Sequence, residues 1–91
     1  MTTREHILVR GLVQGVGFRW FVRETAARLA LSGWVRNAPD GSVEAEAEGP
    51  PASLRKFVAE LRAGPASARV DEVAVREVPP KKDGAAFDIV S

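Results

Sequence analysis

An α+β sandwich is predicted, with two helices on one face of a mainly antiparallel sheet. Three observations point to it. Strand-like segments and two segments of helical periodicity follow one another in the order β-α-β-β-α-β, with one more short apolar segment at the end. Hydrophobic residues make up 45% of the chain and charged residues 27%, the balance of a folded domain and not of a disordered chain. Ninety-one residues make one small domain, 1–91, that buries roughly 60–65% of its unfolded surface. That supports a single core and leaves no room for a large cavity.

Residues 6–13 read as the first strand. Ile7-Leu8-Val9 is apolar and rich in β-branched residues, and the run continues through Arg10-Gly11-Leu12-Val13. Gly15 and Gly17 break it. A helix follows over 18–31. Phe18, Phe21, Val22, Thr25, Ala26 and Leu29 share one face, and Arg23, Glu24, Ala27 and Arg28 the other. After Ser32-Gly33, residues 34–37 form a short strand. Ala38-Pro39-Asp40-Gly41 is a turn, because proline pre-sets φ and glycine tolerates positive φ. Residues 42–48 alternate strictly, with Val43, Ala45 and Ala47 inward and Glu44, Glu46 and Glu48 outward, so the two strands form a hairpin.

Gly49-Pro50-Pro51 opens a second helix, since proline is tolerated where no intrahelical N–H bond is lost. Leu54, Phe57, Val58 and Leu61 form its apolar stripe, and Gly64-Pro65 stops it. Residues 69–78 form a strand with Val73 and Val75 on one face. An exposed loop, 79–84, leads to a last strand over 86–90 with Phe87 and Ile89 facing inward. This order is the split βαβ, or ferredoxin-like, sandwich with a short extra C-terminal strand.

Composition excludes several functions. The net charge of +1 argues against bulk attraction to nucleic acid or to an anionic membrane. No strand carries the basic-aromatic pattern of an RNA-binding sheet. The lack of cysteine excludes disulfides, thiolate zinc sites and a cysteine nucleophile, and one histidine, His6, excludes His-pair metal sites. No metal and no cofactor is expected. With no signal-like or membrane-spanning run, the chain reads as a cytoplasmic monomer. Few amides and no cysteine suit a heat-resistant protein, although a GC-rich genome also favours Arg, Ala and Pro. The single Gln is Gln14 and the single Asn is Asn37.

The informative segment is Gly11-Leu12-Val13-Gln14-Gly15-Val16-Gly17-Phe18-Arg19. Two glycines between a strand and a helix let successive N–H groups point into one concavity that binds anions. The helix N-terminus adds positive potential there. Arg19, in the first helical turn, opposes the helix dipole, a placement that makes sense when an anion lies between it and the amides. A tight turn that needs glycine for steric reasons alone has the same spacing. Asn37 is a candidate polar residue, and a plain turn residue occupies that position equally well. His6 reads as a surface or strand-end residue, and Glu44, Glu46 and Glu48 as a solvated strand face. Trp20 falls outside the apolar stripe and either borders the loop or packs on it.

The run Val13-Gln14-Gly15-Val16-Gly17-Phe18-Arg19 closely resembles the signature of acylphosphatases. So do Gly33-Trp34-Val35-Arg36-Asn37, Asp40-Gly41-Ser42-Val43-Glu44, Gly49-Pro50, Gly64-Pro65 and Ala68-Arg69-Val70. The resemblance covers nearly the whole chain. It implies a metal-free hydrolase that splits a small-molecule acyl phosphate into a carboxylate and inorganic phosphate. In that family pattern the backbone amides of Gln14, Gly15, Val16, Gly17, Phe18 and Arg19, with the Arg19 side chain, bind the phosphoryl group. Asn37 positions the attacking water. The same domain opens large carbamoyl-transferring factors whose zinc-binding cysteines this chain lacks. A ferredoxin-like module that binds a phosphate-bearing ligand without turnover is the alternative. One departure stands out: the family often has Leu-Gly-Leu where this chain has Leu29-Ala30-Leu31. If that position is left-handed, alanine there costs about 1 kcal/mol relative to glycine.

Overall fold

The first strand, β1, starts at Thr3, three residues earlier than hydrophobicity suggests, because charged side chains at its start find partners on the neighbouring strand. The computed structural model describes residues 1–91. It contains β1 (Thr3–Leu12), α1 (Phe18–Arg28), β2 (Ser32–Asn37), β3 (Val43–Gly49), α2 (Pro51–Ala63), β4 (Arg69–Val78) and β5 (Asp88–Ile89). The strands form one sheet in the order β4-β1-β3-β2-β5. β1 is antiparallel to β3 and to β4, and β3 is antiparallel to β2. Thus β1 and β2 run in the same direction with β3 between them, which is the ferredoxin-like arrangement. β5 joins β2 in parallel, Val35 facing Ile89.

Both helices cover one face of the sheet. Ile7, Val9, Val35, Val43, Ala45 and Ala47 meet Phe18, Val22, Ala26, Leu54, Phe57 and Leu61 there, each at most 1% exposed. Phe87 closes this core next to Phe57, with ring centroids 6.0 Å apart. Val73 and Val75 are paired with Val9 and Ile7 and share their face. They lie on the edge strand, so Val75 stays 36% exposed.

The opposite face corrects two expectations. The glutamate ladder is not a solvated row. Arg4, 2% exposed, donates through Nε to Glu46 at 2.6 Å and through Nη1 to Glu48 at 3.0 Å. Glu48 is buried and also accepts the backbone N–H groups of Lys81 and Lys82, at 2.8 and 2.9 Å. The C-terminal segment must cross the sheet to reach β5 at the far edge, and Glu48 straps it down on the way. His6 is not a surface residue either. It lies in mid-strand, half-buried, with Nε2 2.7 Å from Glu44, whose other oxygen accepts from Arg36 at 2.6 Å.

Helix α1 ends at Arg28, before the predicted 31. Leu31 N–H donates to Ala26 O at 2.9 Å and Ala30 N–H to Ala27 O at 3.1 Å. This pair of bonds is a Schellman turn, which reverses the chain through one left-handed residue. That residue is Ala30, at φ +56°. The departure from glycine therefore falls on a position that asks for it. Leu29 keeps the helical spacing of the apolar face, so periodicity alone ran past the end at Arg28. For the same reason β2 starts earlier than residue 34, directly after the turn. β3 is shifted by one residue from the expected 42–48, and β5 is shorter than 86–90.

Candidate active site

The carboxyl ends of β1, β2 and β5 lie on one side of the sheet because these strands share a direction. β1 there runs into the loop 13–17 and then into α1. Gly15 and Gly17 adopt φ +75° and +77°, a region that L side chains avoid. A Cβ on either would meet no atom within 4 Å. These glycines serve backbone conformation and not tight packing.

No backbone N–H from Gln14 to Trp20 donates to a protein acceptor; the first bond into α1 is Phe21 N–H to Gly17 O, at 3.1 Å. The first turn of α1 carries no acidic residue and no side-chain cap. The positive end of the helix is left uncompensated. Arg19 adds a full charge. Six of the ten arginines pair with carboxylates; Arg19 is exposed and, like Arg55, Arg62 and Arg76, forms no ion pair, and it alone of these four lies at the loop. Val16 packs against the core and Phe18 is buried within it, so the loop is held from below.

Arg19 and Asn37 line one cavity of about 230 Å³, with Val13, Gly15, Gly17, Phe18, Trp20 and Ile89. Asn37 ends β2 on the helix-covered face, in register with Val43. Its Oδ1 is buried and has no hydrogen-bond partner. An unsatisfied buried acceptor costs about 1–3 kcal/mol. The adjacent turn is held by other groups: Asp40 accepts from Ser42 N–H at 3.0 Å and from Ser42 Oγ at 2.6 Å. Ala38 N–H donates to Ser42 O at 2.9 Å. The Ser42 hydrogen bonds first, and Arg10 after them, hold the Asp40 carboxyl at about 2. Asn37 is thus spared from building the turn, which is what a plain turn residue would do.

Two further residues organise the loop, neither of them through the backbone. The Gln14 side chain donates from Nε2 to Ala38 O at 2.8 Å and to Ser42 O at 2.9 Å. It ties the loop to the two ends of the turn that follows Asn37. Its rarity in the chain was the only sequence signal. Ser67 Oγ donates to Val16 O at 2.9 Å from the segment before β4, and no sequence pattern marked it. Trp20 borders the cavity, 56% exposed, with the Arg23 guanidinium 4.2 Å from its ring centroid.

Residues 5–89 match the acylphosphatase family model. The chain belongs to the acylphosphatase family. It is 54% identical to an acylphosphatase of Moorella thermoacetica over 86% of this chain and 84% of that one. The crystal structure of the acylphosphatase from Bacillus subtilis superimposes with a TM-score of 0.93, at 41% identity, covering 100% of both chains. The fold also matches 12% of a full-length HypF solved in a phosphate- and nucleotide-bound form, at 35% identity and a TM-score of 0.92 over 100% of this chain. Family membership carries the activity: this acylphosphatase is a hydrolase that cleaves the carboxyl–phosphate bond of acyl phosphates to a carboxylate and inorganic phosphate. A module that binds without turnover is not favoured.

Proposed function

We propose that the phosphoryl group of the substrate sits in the loop 14–19, held by the backbone amides of Gln14, Gly15, Val16, Gly17, Phe18 and Arg19 and by the Arg19 guanidinium. Asn37 orients the water that attacks phosphorus. The observation that carries this reading is a conjunction in one cavity. Open amides and the unpaired Arg19 line it together with Asn37, whose side-chain oxygen has no hydrogen-bond partner.

The chemistry asks for little more. An acyl phosphate is a mixed anhydride whose leaving carboxylate departs without protonation. Water forms a new P–O bond, the bond from phosphorus to the acyl oxygen breaks, and a phosphoryl oxygen takes the proton. The transition state spreads charge over the equatorial oxygens, so fixed donors around them are the main source of rate. The fork of Arg19 matches two such oxygens, and the helix end adds to it. The Asn37 amide, which can donate to water or accept from it, holds the water in line with phosphorus.

We infer that turnover needs no metal, because the leaving group calls for no Lewis acid. No helix is long and apolar enough to cross a membrane. Stability without disulfides fits the reducing cytoplasm.

Benzoyl phosphate hydrolysis with EDTA present tests the scheme, with Arg19→Lys beside the parent. Lysine keeps the charge but loses the planar fork. Losing one such contact costs about 3–4 kcal/mol in the transition state, a fall in kcat/KM of about a hundred- to a thousandfold. A variant within about threefold of the parent, less than ~1 kcal/mol, contradicts the role of the fork. Loss of turnover in EDTA, restored by a divalent ion, contradicts the metal-free scheme.

A further inference from the structure

We propose that Trp20 and Ile89 form the wall that receives the acyl group, so that this enzyme selects acyl phosphates with a large planar apolar acyl group over small ones. The proposal rests on the placement of the phosphoryl group in the loop 14–19. Once that end of the substrate is fixed at Arg19 and the amides, the acyl end must leave the cavity past the remaining lining. Trp20 follows Arg19 directly and borders the same cavity, with 56% of its surface exposed. Ile89 comes from β5, which Glu48 and the crossing segment bring alongside β2. It is partly buried and presents an apolar surface to the cavity.

The indole is also held in place. The Arg23 guanidinium stacks 4.2 Å from its centroid and is steadied by Glu24 at 3.6 Å. A cation on one face fixes the ring, leaving less freedom to lose when an aryl group packs on it. An acetyl or carbamoyl group is too small to reach such a surface in force. Neither residue donates to the phosphoryl group, so their removal changes selection among acyl groups and not the reaction.

The test compares kcat/KM for benzoyl phosphate and acetyl phosphate in the parent, Trp20→Ala, Trp20→Phe and Ile89→Ala, with inhibition by inorganic phosphate measured in each. An aromatic contact of ordinary strength predicts that Trp20→Ala lowers kcat/KM for benzoyl phosphate about five- to tenfold. Acetyl phosphate and the phosphate inhibition constant should change less than about twofold. Trp20→Phe should retain most of the preference, and Ile89→Ala should reduce it less. If both substrates fall together, or neither changes in folded Trp20→Ala and Trp20→Phe, the acyl wall is wrong while the phosphate site stands. If phosphate inhibition is lost along with both activities, Trp20 belongs to the phosphate site and the proposal is overturned. A parent that hydrolyses neither substrate overturns the proposal and the phosphate-site reading together.

Discussion

Gln14→Ala removes the only side-chain link between the phosphate loop and the β2–β3 turn. Its two bonds, 2.8 Å to Ala38 O and 2.9 Å to Ser42 O, join segments 24 and 28 residues apart in the chain. A neutral hydrogen bond contributes about 0.5–1.5 kcal/mol net. Both carbonyls keep a backbone donor after the change, Gly41 N–H for Ala38 O and Ala38 N–H for Ser42 O. The stability loss therefore falls at the low end, about 1 kcal/mol for the pair, or a Tm about 5 °C lower. On the proposed site catalysis should suffer more, because the link would set the distance between phosphorus in the loop and water at Asn37. Misplacement by about 1 Å costs up to a hundredfold, so kcat for benzoyl phosphate should fall roughly ten- to a hundredfold.

The Asn37→Ala background isolates the cause. With no oriented water left to misalign, adding Gln14→Ala should do little further harm, giving a coupling of about 1 kcal/mol or more in the double-mutant cycle. Gln14→Glu keeps the length but turns a carboxylate toward two carbonyl oxygens, and it should be worse than alanine. A folded Gln14→Ala enzyme with kcat within twofold, or strictly additive effects, refutes this reasoning.

Two predictions concern stability. Ala30→Gly relieves an L residue at φ +56°, which is worth about 1–2 kcal/mol, less about 0.4–1 kcal/mol for the added freedom of the unfolded chain. A Tm increase of about 2–6 °C by calorimetry is expected, and a decrease contradicts the left-handed assignment. The second is acid sensitivity. The backbone N–H of Lys81 first, then that of Lys82 and the Arg4 side chain, hold the Glu48 carboxyl below its ordinary 4.5. Its folded pKa is the lower one, so its stabilisation is complete above 4.5 and is lost as the pH falls through the folded value. Glu48→Gln should lower Tm at pH 7, with the gap to the parent closing in acid; a gap that persists at all pH values contradicts the strap.

The element order and the glycine loop between β1 and α1 were legible because they rest on local rules. Alternating Val43, Ala45 and Ala47 set the face of β3, and Gly15 and Gly17 mark positive φ where a strand meets a helix. What escaped depended on partners distant in the chain. Arg4 fell before the expected strand and His6 at its start, and only the register of β1 against β3 brings them to Glu44, Glu46 and Glu48. The strap over Glu48 requires knowing that β5 lies beyond β2. The end of α1 was missed because Leu29 continues the helical spacing up to a left-handed alanine. Arg19 and Asn37, singled out by motif resemblance, do line one cavity. The Gln14 side chain was not legible, because its acceptors are backbone carbonyls, which carry no signature in sequence.

The central claim, that Asn37 orients water toward a phosphoryl group held by other residues, is tested most directly by Asn37→Ala. Three quantities should be read on that one variant: kcat for benzoyl phosphate, the inhibition constant for inorganic phosphate, and Tm. Water is a reactant and not part of the bound anion, so kcat should fall by about a hundredfold or more. The phosphate inhibition constant should stay within about twofold. Tm should hold or rise, because the substitution removes a buried oxygen that has no partner. A folded Asn37→Ala enzyme with near-parental kcat and a lowered Tm would make Asn37 a residue of the turn and contradict the account.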